Sequence, residues 1–241
     1  MNSATGIIPA RYQSSRFPGK PLALIQGRPM IQWVYEGALS AKSLDSVIIA
    51  TDDERIREAA RGFGAPVVMT SPHHGSGTER VAEVAARLST PFIVNIQGDE
   101  PLINGQMLAS LVQALRSEPV PMVSLMRKVQ DIGLLQDPNR VKVVVDNLGF
   151  ALYFSRSPIP YHATNDFFHH LGIYGYQRDF LLEFCKLAPS RLEQLENLEQ
   201  LRALENGFKI KMVEVPFSTL SVDSPRDIIE VENCLGMKIR E

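Results

Sequence analysis

The chain is poor in cysteine, carries no strong excess of either charge and contains no long unbroken apolar run. Its two cysteines, Cys185 and Cys234, cannot build a disulfide framework or a four-thiolate zinc site, and both fall in amphipathic segments where a buried free thiol is expected. A net charge of −2 over 241 residues argues against a polyanionic partner, because nucleic acid is met by a strongly basic face. No segment approaches the roughly 20 apolar residues that cross a bilayer, so no membrane insertion is expected. The opening residues, Met1-Asn2-Ser3-Ala4-Thr5, have neither the basic nor the hydrophobic region of a signal peptide, which points to a cytoplasmic protein. What is present is an ordinary soluble composition, 44 % hydrophobic and 22 % charged, sufficient for a sizeable core.

The first half alternates short β-branched runs with helical periods. "GIIPA" (6–10), "SVIIAT" (46–51), "APVVMT" (65–70) and "PFIVNIQGD" (91–99) read as strands, and 29–41, 53–64, 77–88 and 105–117 as helices. Such alternation indicates a parallel sheet covered by helices on both faces. The second half changes character. Residues 140–156 read as a hairpin turning at Asp146-Asn147-Leu148-Gly149, "HHLGIYGYQ" as a strand and "RDFLLEFCKL" as a helix. Leucines at 192, 195, 198, 201 and 204 predict one continuous helix over 190–207, and a strand and a last helix follow. The expected organisation is an α/β body, 1–126 plus 186–241, with a smaller α+β insertion at 127–185.

Ligands of open α/β sheets collect at the carboxyl ends of strands. The loop "ARYQSSRFPGKPL" (10–22) leaves the first strand with Arg11, Arg16 and Lys20 close together, a local cluster in a nearly neutral protein that favours a small anionic ligand. It is neither a Walker A loop nor a G-x-G-x-x-G fingerprint. Small residues and cations remain, suited to phosphate, with a solvated basic loop as the competing reading. Asp99, in "NIQGDEP", has the strand-tip position and the neighbouring glycine of a magnesium ligand, whereas a capping role for Asp99 or Glu100 competes. Asp223, in "SVDSPRD", is a second candidate carboxylate with the same competitor. Asp52-Asp53 reads as a helix cap, His73-His74 as a loop pair without metal-ligand spacing, and Glu199-Gln200 as solvated helix surface. In "HHLGIYGY", the alternating set His170, Gly172, Tyr174 and Tyr176 is expected to line a face that is not plain core.

Taken together, "IIPARYQSSRFPGKPL", "HGSGTERVAEV", "NIQGDEP", "NRVKVVVDNLGFALYFSRSPIPY", "HLGIYGY", "LENLEQLRALENG" and "VDSPRD" resemble the 3-deoxy-manno-octulosonate (Kdo) cytidylyltransferases across essentially the whole chain. The resemblance implies a nucleotide-diphospho-sugar transferase fold, a Rossmann-like mixed sheet with a smaller α+β dimerisation insertion, and a homodimer. It implies a magnesium-dependent transfer of CMP from CTP to the anomeric hydroxyl of Kdo, for lipopolysaccharide biosynthesis. Carried over residue by residue, Arg11 and Lys20 match the residues that hold the CTP phosphates, with Arg16 a supporting cation. Ala10, Ser76, Arg80 and Gln97 fall in the nucleotide pocket, and Asp99 and Asp223 match the Mg2+ ligands. Gln97, Arg156, His170, Tyr174, Glu199 and Gln200 match residues of the sugar site. Phe17 and Glu79 depart from the commoner leucine and aspartate without removing a group the chemistry needs. A cytidylyltransferase for sialic acid or 8-amino-Kdo, and a non-catalytic nucleotide-binding paralogue, are the alternatives.

Overall fold

Apolar residues 4–10 form strand β1 (Ala4–Ala10), whose side chains are almost all buried, as a strand covered on both faces requires. The structure, a computed structural model, describes residues 2–13, 17–163 and 166–238. Its contacts divide into two units, 1–109 with 219–241, and 110–218. Among the described residues no helix is long and apolar enough to cross a membrane.

In the first unit β1 is followed by a 3₁₀ turn at Lys20–Leu22, the short hairpin β2 (Leu24–Ile25) and β3 (Arg28–Pro29), and helix α1 (Met30–Leu39). Then come β4 (Ser46–Thr51), α2 (Glu54–Gly62), β5 (Val67–Met69), α3 (Gly77–Ala85) and β6 (Phe92–Asn95). β1 pairs in parallel with β4 on one side and β6 on the other, and β4 pairs in parallel with β5. This is the parallel arrangement the alternating pattern predicts, and its carboxyl ends deliver the loops after β1 and β6 to one edge. Helix α4 (Gly105–Ser117) carries the chain across the boundary between units.

The second unit contains β7 (Met122–Val129), β8 (Lys142–Val145), β9 (Ala151–Ser155), β10 (Phe167–Gln177), helices α5 (Arg178–Phe184), α6 (Arg191–Glu196) and α7 (Leu201–Glu205), and β11 (Ile210–Glu214). β8 and β9 form the expected hairpin; Asp146 Oδ1 accepts from the backbone N–H of Leu148 and Phe150, and Gly149 takes the left-handed conformation at φ 77°. β10 pairs antiparallel with β7 and β8, and β11 runs parallel to β7. Residues 110–126 and 186–218, expected in the body, lie in this unit because β7 is the shared partner of β10 and β11.

Residues 190–207 are not one helix. The helix breaks at Asn197, which adopts φ 52°, and resumes as α7. Leucines spaced by three fall about 60° short of a full turn at each step, so they wind around a helix rather than forming one stripe. Leu195 is accordingly exposed while Leu198 and Leu201 are buried. The last helix, α8 (Pro225–Lys238), returns to the first unit, where Val222 and Val231 pack with Ile25 and Met30. This packing brings Asp223 back to the start of the chain.

Candidate active site

A cavity of about 280 Å³ in the first unit is lined by Ala10, Arg11, Lys20, Ser76, Arg80, Gln97, Asp99 and Asp223, among others. Eight residues proposed from scattered loops therefore meet in one place. Arg16 lies outside the described residues.

Lys20 is placed by a short chain of local causes. Gly19, at φ 74°, donates its N–H to Tyr12 O and precedes the 3₁₀ turn that carries Lys20. Lys20 Nζ then donates to Asp99 Oδ2 at 2.7 Å and lies 3.7 Å from Asp223 Oδ1. Asp99 does not cap the helix that follows it. Asn104 Oδ1 accepts from the N–H of Gln106 and Met107 at the start of α4, and Asp227 accepts from the N–H of Asp223 and Ser224 at the start of α8. The capping reading of Asp99 is thus set aside, and the backbone link from Val222 N–H to Asp99 O joins its loop to that of Asp223.

Gly98 is required by close approach rather than by an unusual φ. A Cβ there would sit 2.7 Å from Pro9 O, so the loops after β1 and β6 touch at this point. Gly98→Ala is expected to destabilise the protein by roughly 1–3 kcal/mol and to raise the KM for nucleotide, since backbone must shift beside Asp99. Thermal unfolding together with steady-state kinetics checks this; an unchanged Tm and KM would refute it.

Ser76 caps α3 by accepting from Glu79 N–H, while Glu79 accepts from Gly75 N–H. The positive end of α3 consequently opens on the cavity, which suits an anion. Arg80 is almost wholly buried; its guanidinium meets Asp52 Oδ2 at 3.2 Å and donates to Thr70 Oγ1. Asp53 is the helix cap, as expected, accepting from Arg55 N–H, and Asp52 instead anchors Arg80. His74, which the spacing of the loop pair left aside, lines the cavity with its Nε2 2.6 Å from Glu83 Oε2. Its place two residues before Ser76 was the signal available.

The remaining candidates belong to the second unit. Arg156 commits its guanidinium to three backbone carbonyls, those of Glu196 (2.8 Å), Pro138 (3.0 Å) and Asn197 (3.3 Å), and its N–H to Glu196 Oε2. His170 and Tyr174 are neighbours, with ring centroids 5.5 Å apart, and burial holds the His170 pKa down to about 3. Tyr176, expected on the same non-core face, is core: it is fully buried against Phe180 and Phe184. Gln200 is also buried, at 3 % exposure, with Nε2 lacking a hydrogen-bond partner. It is therefore no solvated surface residue, and an orphaned buried donor of this kind fits a ligand-facing group. Glu199 lies beside it, 3.6 Å from the Arg202 guanidinium.

Among the described residues no three His, Cys, Asp or Glu side chains gather to hold a metal. Asp99 and Asp223, converging on one ammonium, fit a magnesium ion nonetheless, since Mg2+ is commonly held by one or two carboxylates together with substrate phosphates and water.

Residues 5–210 match the family model described as Cytidylyltransferase. The chain is 51% identical to the 3-deoxy-manno-octulosonate cytidylyltransferase of Syntrophotalea carbinolica, with 95% of this chain and 97% of that protein covered. It is 52% identical to that of Solibacter usitatus, covering 97% and 95%. A solved structure of CMP:2-keto-3-deoxy-manno-octonic acid synthetase complexed with CTP matches with a TM-score of 0.93 at 41% identity, over 98% of this chain and 99% of the other. A 4-diphosphocytidyl-2C-methyl-D-erythritol synthase from Anaerococcus prevotii, 13% identical, shares the fold with a TM-score of 0.67 over 98% of this chain and 100% of its own.

Proposed function

The chain belongs to the 3-deoxy-manno-octulosonate cytidylyltransferase family, and we propose that it transfers CMP from CTP to the anomeric hydroxyl of Kdo, releasing pyrophosphate. The observation that carries this reading is the convergence of Arg11, Lys20, Asp99 and Asp223 on one cavity at the carboxyl ends of the strands, in a chain 51% identical to a 3-deoxy-manno-octulosonate cytidylyltransferase. The anomeric oxygen forms a bond to the α-phosphorus, the α–β anhydride bond breaks, and the hydroxyl proton is lost to water.

Both partners of this reaction are anionic, so neutralisation and positioning dominate the barrier. Arg11 and Lys20 hold the β- and γ-phosphates as they leave, with Ser76 and the start of α3 beside them. Asp99 and Asp223 would hold a magnesium ion, which when bound offsets phosphate charge and lowers the pKa of a coordinated hydroxyl. In the second unit Arg156 faces the sugar carboxylate with the N–H groups its backbone contacts leave over, and His170, Tyr174, Glu199 and Gln200 select hydroxyls. The product feeds lipopolysaccharide assembly, and dependence on CTP goes with a cytoplasmic location. The family resemblance also carries a homodimer, to be checked by light scattering.

The direct experiment offers CTP and Mg2+ with Kdo, 8-amino-Kdo or N-acetylneuraminate separately and follows pyrophosphate. Release best with Kdo is expected. Preference for another sugar acid would reassign the acceptor, and CTP binding without release from any of them would favour the nucleotide-binding paralogue.

A further inference from the structure

β10 is irregular where it matters. Its pairing with β7 runs His170 to Met126 and Leu171 to Leu125, then jumps to Tyr174 opposite Ser124, so Gly172 and Ile173 have no ladder partner on β7. Such a bulge frees backbone groups and re-aims side chains. Ser124, with no exposed surface, fills the irregularity: its Oγ lies 2.9 Å from Ile173 O, 3.3 Å from Leu171 O and 2.8 Å from His170 Nε2.

These contacts favour one placement of the protons. Both carbonyls can only accept, and a hydroxyl has one hydrogen. Turned toward His170 Nε2, that hydrogen would leave Ser124 Oγ and Ile173 O 2.9 Å apart with no proton between two oxygens; turned toward Ile173 O, it leaves a lone pair of Ser124 Oγ facing His170. In that arrangement Nε2 carries the proton and donates to Ser124 Oγ. In a neutral imidazole the other nitrogen, Nδ1, is bare. We propose that Ser124 is a positioning residue that holds His170 as its Nε2–H tautomer, so that the ring meets the sugar acid as a hydrogen-bond acceptor at Nδ1. The part of this that concerns the sugar rests on the function proposed above; the tautomer does not.

Neutrality is supported independently of the hydrogen bonds. His170 is 5 % exposed, the edge of its contact with Phe154 is apolar, at 4.9 Å between centroids, and burial keeps its pKa far below neutrality. A neutral acceptor takes a sugar O–H and disfavours a carboxylate. The sugar carboxylate is therefore left to a cation, and His170 reads a hydroxyl. Because Tyr174 is the register partner of Ser124 beyond the bulge, the same serine also sets where that phenol begins.

The test is the long-range 1H–15N correlation spectrum of the 15N-labelled, substrate-free protein, with the His170 signals identified by comparison with His170→Gln. A protonated Nε2 and a bare Nδ1 are expected; an Nδ1–H tautomer or an imidazolium at neutral pH would overturn the assignment. Ser124→Ala is expected to release the ring into mixed tautomers and to raise the KM for Kdo about tenfold, the equivalent of one hydrogen bond, with the KM for CTP unchanged. Ser124→Thr, which keeps the hydroxyl, restores the single tautomer. If Ser124→Ala retains the parent's single tautomer, the serine does not position the ring. A parent protein that shows the expected tautomer yet turns over no Kdo would refute the function while leaving the assignment supported.

Discussion

Asp99→Asn is expected to lower kcat/KM for pyrophosphate release about a thousandfold, some 4 kcal/mol of transition-state stabilisation, with the fold unchanged. The substitution keeps size and shape and removes one charge. Asp99 is partly exposed, its main-chain bond from Val222 N–H does not involve the carboxylate, and Asn104 rather than Asp99 caps α4. Among the described residues the Asp99 carboxylate is bonded to Lys20, which still has Asp223 within 3.7 Å. Circular dichroism and Tm should accordingly match the parent. Asp223→Asn should fall by a similar factor, and the double variant little further, because on the proposed metal role the two carboxylates would act on one ion as a unit. Binding of Mn2+, followed by its electron spin resonance in the presence of CTP, should weaken in each variant. Activity within about tenfold of the parent would remove Asp99 from the metal role.

Glu193→Gln should cost about 3 kcal/mol of stability in the second unit, which for a chain of this size lowers Tm by roughly 6–12 °C. Glu193 grips the Arg202 guanidinium twice, at 2.8 and 2.5 Å, and both side chains are largely buried. Arg202 also lies over the Phe184 ring, at 5.0 Å. Glutamine keeps one oxygen for the Ser190 N–H that caps α6 but presents an NH2 where the second oxygen accepted from Arg202, so the variant removes the charge and one hydrogen bond. It leaves a buried guanidinium without its main counter-ion, which is the costly way to break such a pair. Replacing both partners, Glu193→Leu with Arg202→Met, should recover most of the loss. A single variant as stable as the parent would show that water already screens the pair.

The same pair fixes a pH dependence. Burial works to raise the Glu193 pKa, but the hydrogen bonds from Arg202 and Ser190 outweigh it and hold the group below its ordinary value of 4.5. A carboxylate depressed on folding stabilises the protein above its unfolded pKa, and this is lost as pH falls through the folded one. The Tm difference between parent and Glu193→Gln should therefore narrow below pH 4.5 and stay constant above it.

Local pattern alone set out the alternation of β1, β4, β5 and β6 with their helices, and the Asp146–Gly149 turn, because burial on both faces and tight reversal each demand particular residues at neighbouring positions. The candidate loops were legible for the same reason: Arg11 and Lys20, or Gly98 and Asp99, are a few residues apart and follow apolar runs. The tertiary structure decided whatever depended on distant chain segments. Only the packing of Val222 and Val231 on Ile25 and Met30 carries Asp223 to Lys20. Only the pairing of β7 with β10 buries His170 on Ser124 and makes Tyr176 core. The break at Asn197 turned Gln200 from apparent helix surface into a buried donor, since a period of three cannot say where a helix will bend to keep its apolar side inward. Periodicity reports which residues avoid water; the partner against which they do so is chosen by the rest of the fold.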